Sequence, residues 1–344
     1  MSGEPTVGVE PDGAAWDRYL SGRPDASAYH AWRWRGVFER AFGHDTLYLS
    51  ARRDGAIAGV LPLVLFRSRL FGDFIVSLPF VNYGGIVADD AAASDALLQE
   101  AERVAAEGRF AHLELRHRDR TCPALVPKRH KVAMVLPLPA TADEAWTALD
   151  RKVRNQIRKA EKSGLTAIAG GPEHLDEFYR VFARNMRDLG TPVYAHRFFD
   201  EVFAANEGHA TVVLVRRDRT TVAAGIALTH RDTVEVPWAS SLQEFRAACP
   251  NHALYWFVVR WAIERGARFL DFGRSTPGEG TFQFKRQWGA EPSLLCWEYR
   301  LLHGDTLPDQ SPKNPKFKFA IEAWKRCPLW LTNTIGPRLV RSIP

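Results

Sequence analysis

The stretch DFGRSTPGEGTFQFKRQWG, residues 271–289, gathers a carboxylate, an Arg-Ser pair, a glycine-rich turn, a Lys-Arg pair and an indole. Its entry is an apolar strand, RFLDF, in which Leu270 and Phe272 face one way and Asp271 the other. A carboxylate therefore stands at the exit of a buried strand, with Arg274 and Ser275 at its mouth. So placed, Asp271 can accept a proton during a group transfer; its alternative use is an ion pair with Arg268 or Arg274. Gly278 and Gly280 allow a ligand close to the backbone. Beyond them the alternation of Phe282 and Phe284 predicts another strand, whose opposite face holds Gln283 and Lys285. Lys285 and Arg274 would hold a phosphate or a developing oxyanion. Trp288 would stack on a sugar or base, unless it packs in the core. In TVEVPWASS, Glu235 alternates with Val234 and Val236 and is a second candidate base, with Trp238 as a further cleft residue. LGTPVY places Thr191 and Tyr194 on a candidate substrate-facing loop, or on an ordinary turn.

A second set of residues follows Thr141 in TADEAWTALDRKVRNQIRKAEKSGL. Thr141 with Glu144 forms a capping-box pattern, acids fill the first turn and lysines the last, and Gly164 suits a left-handed stop. Together these predict one helix. Trp146, Leu149, Val153, Ile157 and Ala160 make its apolar stripe. Between Arg151 and Lys162 six residues are basic and Glu161 alone is acidic. A merely solvated face usually mixes signs, because like charges one turn apart cost stability. The surface thus points to an anionic substrate, with Arg151, Arg154, Arg158 and Lys159 as contacts and Asn155 adding an amide. Pro250 and Asn251 open a further helix that ends at Gly266 and offers unpaired N–H groups to an anion.

The elements that must position these residues occur twice. YLSARRDGAIAGVLPLVLF (48–66) and VVLVRRDRTTVAAGIALTH (212–230) both read as strand, charged turn, strand. LLQEAERVAAEGRFAHLELRH (97–117) and LYWFVVRWAIERGARFLDFGR (254–274) both read as helix, glycine, strand. One α/β module appears duplicated, with mixed sheets flanked by helices, a mixed α+β class rather than a doubly wound nucleotide fold. Prolines in VPKRHKVAMVLPLPATADE (126–144) punctuate a strand and mark the boundary. The expected domains are 1–138, 139–306 carrying the main motifs, and a basic, aromatic extension over 307–344.

At 344 residues, 46% hydrophobic and 25% charged, the chain suits two soluble globular domains, and a net charge of +6 favours anionic partners. The four cysteines form no CxxC pair and no zinc spacing, so no metal is expected and reduced, cytoplasmic thiols are. No secretory signal or spanning segment is read from the N-terminus or from GVLPLVLF.

RKVRNQIRKAEKSGL, NMRDLGTPVYAHRFF and DFGRSTPGEGTFQFKRQWG, in that order and with NPKFKFAIEAWKR near the end, resemble the FemAB-related proteins of exosortase/PEP-CTERM and exopolysaccharide gene clusters. The resemblance covers most of the chain and implies two tandem GNAT-like acyltransferase domains. It also implies acyl-CoA or aminoacyl-tRNA as donor co-substrate and an amine of a cell-envelope or exopolysaccharide precursor, such as a lipid-linked glycan, as acceptor. No tightly bound cofactor is expected. The stretch FRAACPNHA lacks both glycines of the Q/R-x-x-G-x-G/A loop that commonly holds the CoA pyrophosphate. With no GxSxG and no Cys–His pair, direct attack of the amine is the expected chemistry. Two other readings use the same residues. One is a non-catalytic glycan- or membrane-binding factor at the inner face of the membrane, using Phe317, Ile321 and Trp324 among Lys316, Lys318, Lys325 and Arg326. The other is a tRNA-binding protein using the basic helix.

Overall fold

A computed structural model describes residues 3–68, 71–118, 122–304, 306–308 and 318–343 of the chain. Two compact units are present: Met1–Lys131 with Leu294–Gln310 and Arg341–Pro344, and Val132–Ser293 with Ser311–Val340.

In chain order the first half forms β1 (Thr6–Val9), α1 (Gly13–Ser21), α2 (Trp34–Phe42), β2 (Asp45–Arg53), β3 (Ala56–Ser68), β4 (Gly72–Val76), β5 (Val87–Ala88), α3 (Ala91–Glu107), β6 (His112–Arg118) and β7 (Val126–Pro137). The second half continues with α4 (Ala142–Ala148), α5 (Arg151–Lys162), β8 (Leu165–Gly170), α6 (Leu175–Leu189), α7 (His196–Ala205), β9 (Ala210–Arg217), β10 (Thr220–His230), β11 (Thr233–Ser241), α8 (Pro250–Glu264), β12 (Phe269–Ser275), α9 (Gly280–Arg286), β13 (Glu291–Leu301), α10 (Lys318–Arg326) and α11 (Leu329–Val340).

The duplication read from the sequence is complete at the level of topology. Strands run β1-β2-β3-β4-β6-β13 in the first unit and β8-β9-β10-β11-β12-β7 in the second. Each sheet is antiparallel except at its fourth and fifth positions, where β4–β6 and β11–β12 pair in parallel across the helices α3 and α8. The hairpin turns fall where Arg-Arg-Asp predicts them, with Asp54 and Asp218 at positive φ.

The sixth strand is exchanged. β7 follows β6 in the chain, yet its residues Val132–Pro137 pair with β12. β13 follows β12, and its residues Leu295–Leu301 pair with β6. The units therefore divide the chain differently from the ranges 1–138 and 139–306, because segment 294–310 belongs to the first unit and 132–138 to the second. A chain ending at Ser293 is expected to lose order along β6: without Glu298, the buried His117 Nδ1 and the Cys122 N–H lose a partner at 2.8 Å each. Each such loss costs about 1–3 kcal/mol. Deuterium exchange that stays slow over Leu113–Arg118 in the truncated chain would contradict this.

In the second unit, α5 and α8 cover one sheet face. Val153, Ile157, Leu254 and Val258 pack there with Val213, Val215, Leu270 and Phe272. α6 packs on β9, β10 and β11, and its Phe178 and Phe182 join Phe199 of α7. Two local expectations change. The predicted helix from Thr141 is split, because Leu149 is extended (ψ 141°) and Asp150 starts α5 by accepting from the Lys152 N–H at 2.6 Å. The capping box itself forms, with Thr141 and Glu144 bonded reciprocally. The stretch around Phe282 is the helix α9 rather than a strand.

Candidate active site

β11 and β12 are paired only over Thr233–Glu235 and Phe269–Asp271. Past that point both strands leave the ladder. β11 bulges against β10, since Glu235 stands opposite Leu228 but Trp238 opposite Ile226, setting two residues against one. β12 shifts register against β7 between Asp271 and Arg274, where Gly273 takes φ +73°, a conformation that favours glycine. The strands fork at their C-terminal ends, and Glu235 and Asp271 are the last matched pair at the root of the fork. Leu270 and Phe272 enter the α5–α8 core, so alternation turns Asp271, with Glu235 in register, to the other face.

Asp271 has no exposure, and Glu235 and Lys285 keep 6% and 8%. Three ionisable groups so buried are costly unless they compensate one another. The Asp271 Oδ1 accepts from the Gly273 N–H at 2.7 Å, and the Lys285 Nζ donates to the carbonyls of Gly273 (3.1 Å) and Arg274 (3.0 Å). Burial pushes the Lys285 ammonium down to about 8; Asp271 opposes this, Arg274 adds to it and Glu235 opposes it. Helical geometry brings the lysine here. Phe282 and Lys285 are three residues apart, on one buried face of α9, whereas a strand would have set Lys285 against Gln283.

Ser275 is buried at the same strand end, and its Oγ has no hydrogen-bond partner. Arg274, Glu235, Asp271 and Lys285 are thus brought together, and Ser275 stands one residue beyond Arg274 on the same strand. Trp288 is not a platform: it packs with His252, Tyr255, Phe272 and Phe284, ring centroids 6.0–6.2 Å away. Trp238 likewise sits edge-on to Phe198 and Phe199. Tyr194 stacks near Phe182 and Phe198, and its carbonyl accepts from the Tyr179 hydroxyl at 2.9 Å. The Thr191 N–H closes α6 on the Met186 carbonyl, past Gly190 at φ +77°.

On α5, Arg151, Asn155, Arg158 and Lys159 are exposed and Arg154 is half-buried. The Arg158 guanidinium lies 5.2 Å over the Trp146 ring, so part of its reach is spent on packing. The helix meets the start of α8, where the Cys249 Sγ donates to the Gln156 Oε1 at 2.6 Å. Cys249 itself adopts φ +60°, a left-handed conformation that favours glycine. Burial pushes the Cys249 thiol up, against the Lys159 charge, and pushes His252 down to about 4, aided by Lys152. Lys152 and Lys159 therefore flank the N-terminus of α8, whose cap makes no side-chain hydrogen bond. Lys152, Gln156, Cys249 and His252 carried no readable signal, because their proximity depends on how α5 packs against α8.

In the first unit the position matching Asp271 is Glu114, paired with Val76 where the second unit has Glu235. Glu114 is bound by the Arg116 Nε at 2.7 Å, an ion pair buried within the first unit. His117, Cys122 and Glu298 bring three metal-ligand types within 4.8 Å. The His117 Nε2 accepts from the Ile86 N–H at 3.0 Å, and both Glu298 oxygens are engaged, so these atoms already serve a hydrogen-bonded network.

Residues 148–286 match the acetyltransferase (GNAT) domain family. No curated protein matches the chain. Among solved structures the chain is similar to FemX, with a TM-score of 0.65 and 16% identity over 85% of this chain and 96% of that one. It is also similar to a tandem GNAT protein from the clavulanic acid biosynthesis pathway, with a TM-score of 0.58 and 10% identity over 88% and 100% of the two chains. L-PGS from Bacillus licheniformis gives 0.56 and 13% over 93% and 98%. At these identities the likeness is one of fold, and it bears out the tandem GNAT-like architecture.

Proposed function

We propose that this chain is an acyltransferase that moves an acyl group from acyl-CoA to an amine of a cell-envelope or exopolysaccharide precursor, the setting of the FemAB-related proteins it resembles. The observation that carries the reading is the fork between β11 and β12 with Glu235, Asp271 and Lys285 at its root. A thioester laid in the fork would present its carbonyl beside a proton acceptor and a cation, both preorganised. Lys152, Lys159 and the start of α8 suit the donor's pyrophosphate. The acceptor nitrogen attacks the thioester carbon, a C–N bond forms and the C–S bond breaks. Asp271, or Glu235 beside it, takes the amine proton, and the departing CoA thiolate takes up a proton. Lys285 spends two of its three N–H groups on backbone carbonyls and keeps one for the developing oxyanion.

The test is release of free CoA thiol from acyl-CoA by the purified full chain across a panel of amines and amino sugars. Acylated product with stoichiometric thiol supports the reading; no CoA binding by calorimetry at millimolar concentration and no thiol release overturns the donor. The exposed cations of α5 favour a second donor, aminoacyl-tRNA, and filter retention of tRNA falling steeply with salt would support it. Under the CoA reading, Lys152→Glu with Lys159→Glu is expected to raise the donor KM about tenfold or more and to leave kcat at saturation nearly unchanged. An unchanged KM would move the pyrophosphate elsewhere. A cytoplasmic enzyme working on a lipid-linked acceptor completes the proposal.

A further inference from the structure

The structure assigns a docking surface for an anionic phospholipid bilayer to the outer faces of α10 and α11, centred on Phe319 and Trp330. Both helices use α6 as their floor. On α10, Ile321 turns inward against Gly190, where a Cβ would stand 2.5 Å from the Ile321 Cγ2. Trp324 is half-buried with its Nε1 enclosed. The stripe expected at Phe317, Ile321 and Trp324 is thus corrected: Ile321 and Trp324 belong to the packed side, and Phe317 and Lys316 lie outside the described residues. On α11, Gly336 is pressed against Val193, with a Cβ position 3.0 Å from the Val193 N.

What faces outward is unusual for a soluble unit. Phe319 is 86% and Trp330 69% exposed, and with Leu189 at the end of α6 and Ile335 on α11 these three packed helices carry four of the seven large apolar side chains exposed among the described residues. Leu189 immediately precedes Gly190, against which Ile321 of α10 packs. On α10 and α11 the charge is one-sided. Lys318, Lys325, Arg326 and Arg338 stand against one acid, Glu322, which binds Lys325 at 2.7 Å. Exposed Phe and Trp set among cations are what an interfacial surface needs: rings enter the headgroup boundary while Lys and Arg meet anionic lipid. A second copy fits poorly, because it would bring like charges face to face. No helix among the described residues is long and apolar enough to cross a membrane, so contact would be with its surface.

The surface deepens the acyl-transfer reading by supplying a reason for a lipid-linked acceptor, and rests on it only for that choice. The experiment is flotation of the full chain with vesicles of phosphatidylcholine alone and of phosphatidylcholine with about one-third phosphatidylglycerol. We expect flotation with the anionic vesicles only, weakened by salt. Phe319→Ser with Trp330→Ser should lower the partition about tenfold or more. Arg326→Gln and Arg338→Gln should each lower it about fivefold. Thermal midpoint and CoA thiol release of the variants are followed in parallel, so that loss of lipid binding is read apart from loss of folding or of turnover. No flotation with anionic vesicles, equal flotation with neutral ones, or an unchanged partition in the Phe319/Trp330 variant overturns the assignment. So does a wild-type dimer in sedimentation that the same variant abolishes, which would make this face a contact between copies.

Discussion

Replacing Asp271 with asparagine should lower kcat/KM by about 10²–10⁴-fold, the range removed with a positioned general base. The fold should survive, since the amide oxygen can still accept from the Gly273 N–H that the carboxylate now holds at 2.7 Å. A pH signature accompanies the loss. Asp271 opposes the burial that pushes Lys285 down to about 8, so removing its charge lets the ammonium fall further. If protonated Lys285 supports turnover, the alkaline limb of the residual rate moves to lower pH. Thiol-release kinetics from pH 6 to 10 measure both effects. Turnover equal to wild type would remove Asp271 from the mechanism, and a larger loss in Glu235→Gln would pass the base role to the neighbouring carboxylate.

The second large effect is expected from Lys285→Met. Loss of a preorganised oxyanion donor costs about 10²–10³ in kcat, and the alkaline limb near 8 should vanish with the titrating group. Stability behaves differently from activity. The folded pKa of Lys285 is depressed relative to the unfolded 10.5, so between about 8 and 10.5 the unfolded chain binds more protons and wild-type stability rises with pH. Methionine should flatten that rise. At pH 7 it exchanges the cost of a buried charge for two carbonyls without their donor, and the urea midpoint should move little. A variant that loses turnover, yet keeps both the rising stability and the limb near 8, would show that another group titrates there.

Asp271, Glu235 and Lys285 were legible as candidates because each is an ionisable residue inside an apolar pattern, and burial of such residues calls for compensation. The duplication was legible because the charged turns and glycine-closed helices repeat in one register. Local periodicity misread the setting of Lys285. Phe282 and Phe284 alternate as a strand would, but the glycine-rich turn before them and the packing of Phe284 and Trp288 beside Tyr255 select a helix. Trp238 and Trp288 had apolar surroundings that a one-dimensional reading cannot distinguish from a binding wall. The meeting of Lys152 and Lys159 with α8, and the return of Glu298 to His117, depend on contacts between residues about a hundred or more positions apart.

The pairing of β13 with β6 also orders events during synthesis. When the ribosome has finished β6 the first unit still shows an open sheet edge, and the next strand to emerge, β7, pairs with β12 instead. The partner for that edge arrives only after α8, β12 and α9 have been made. The N-terminal half therefore waits, unfinished and prone to mispairing, for the opposite half to be nearly complete. A gene cut midway therefore separates each sheet from the strand that completes it, β13 from β6 and β7 from β12.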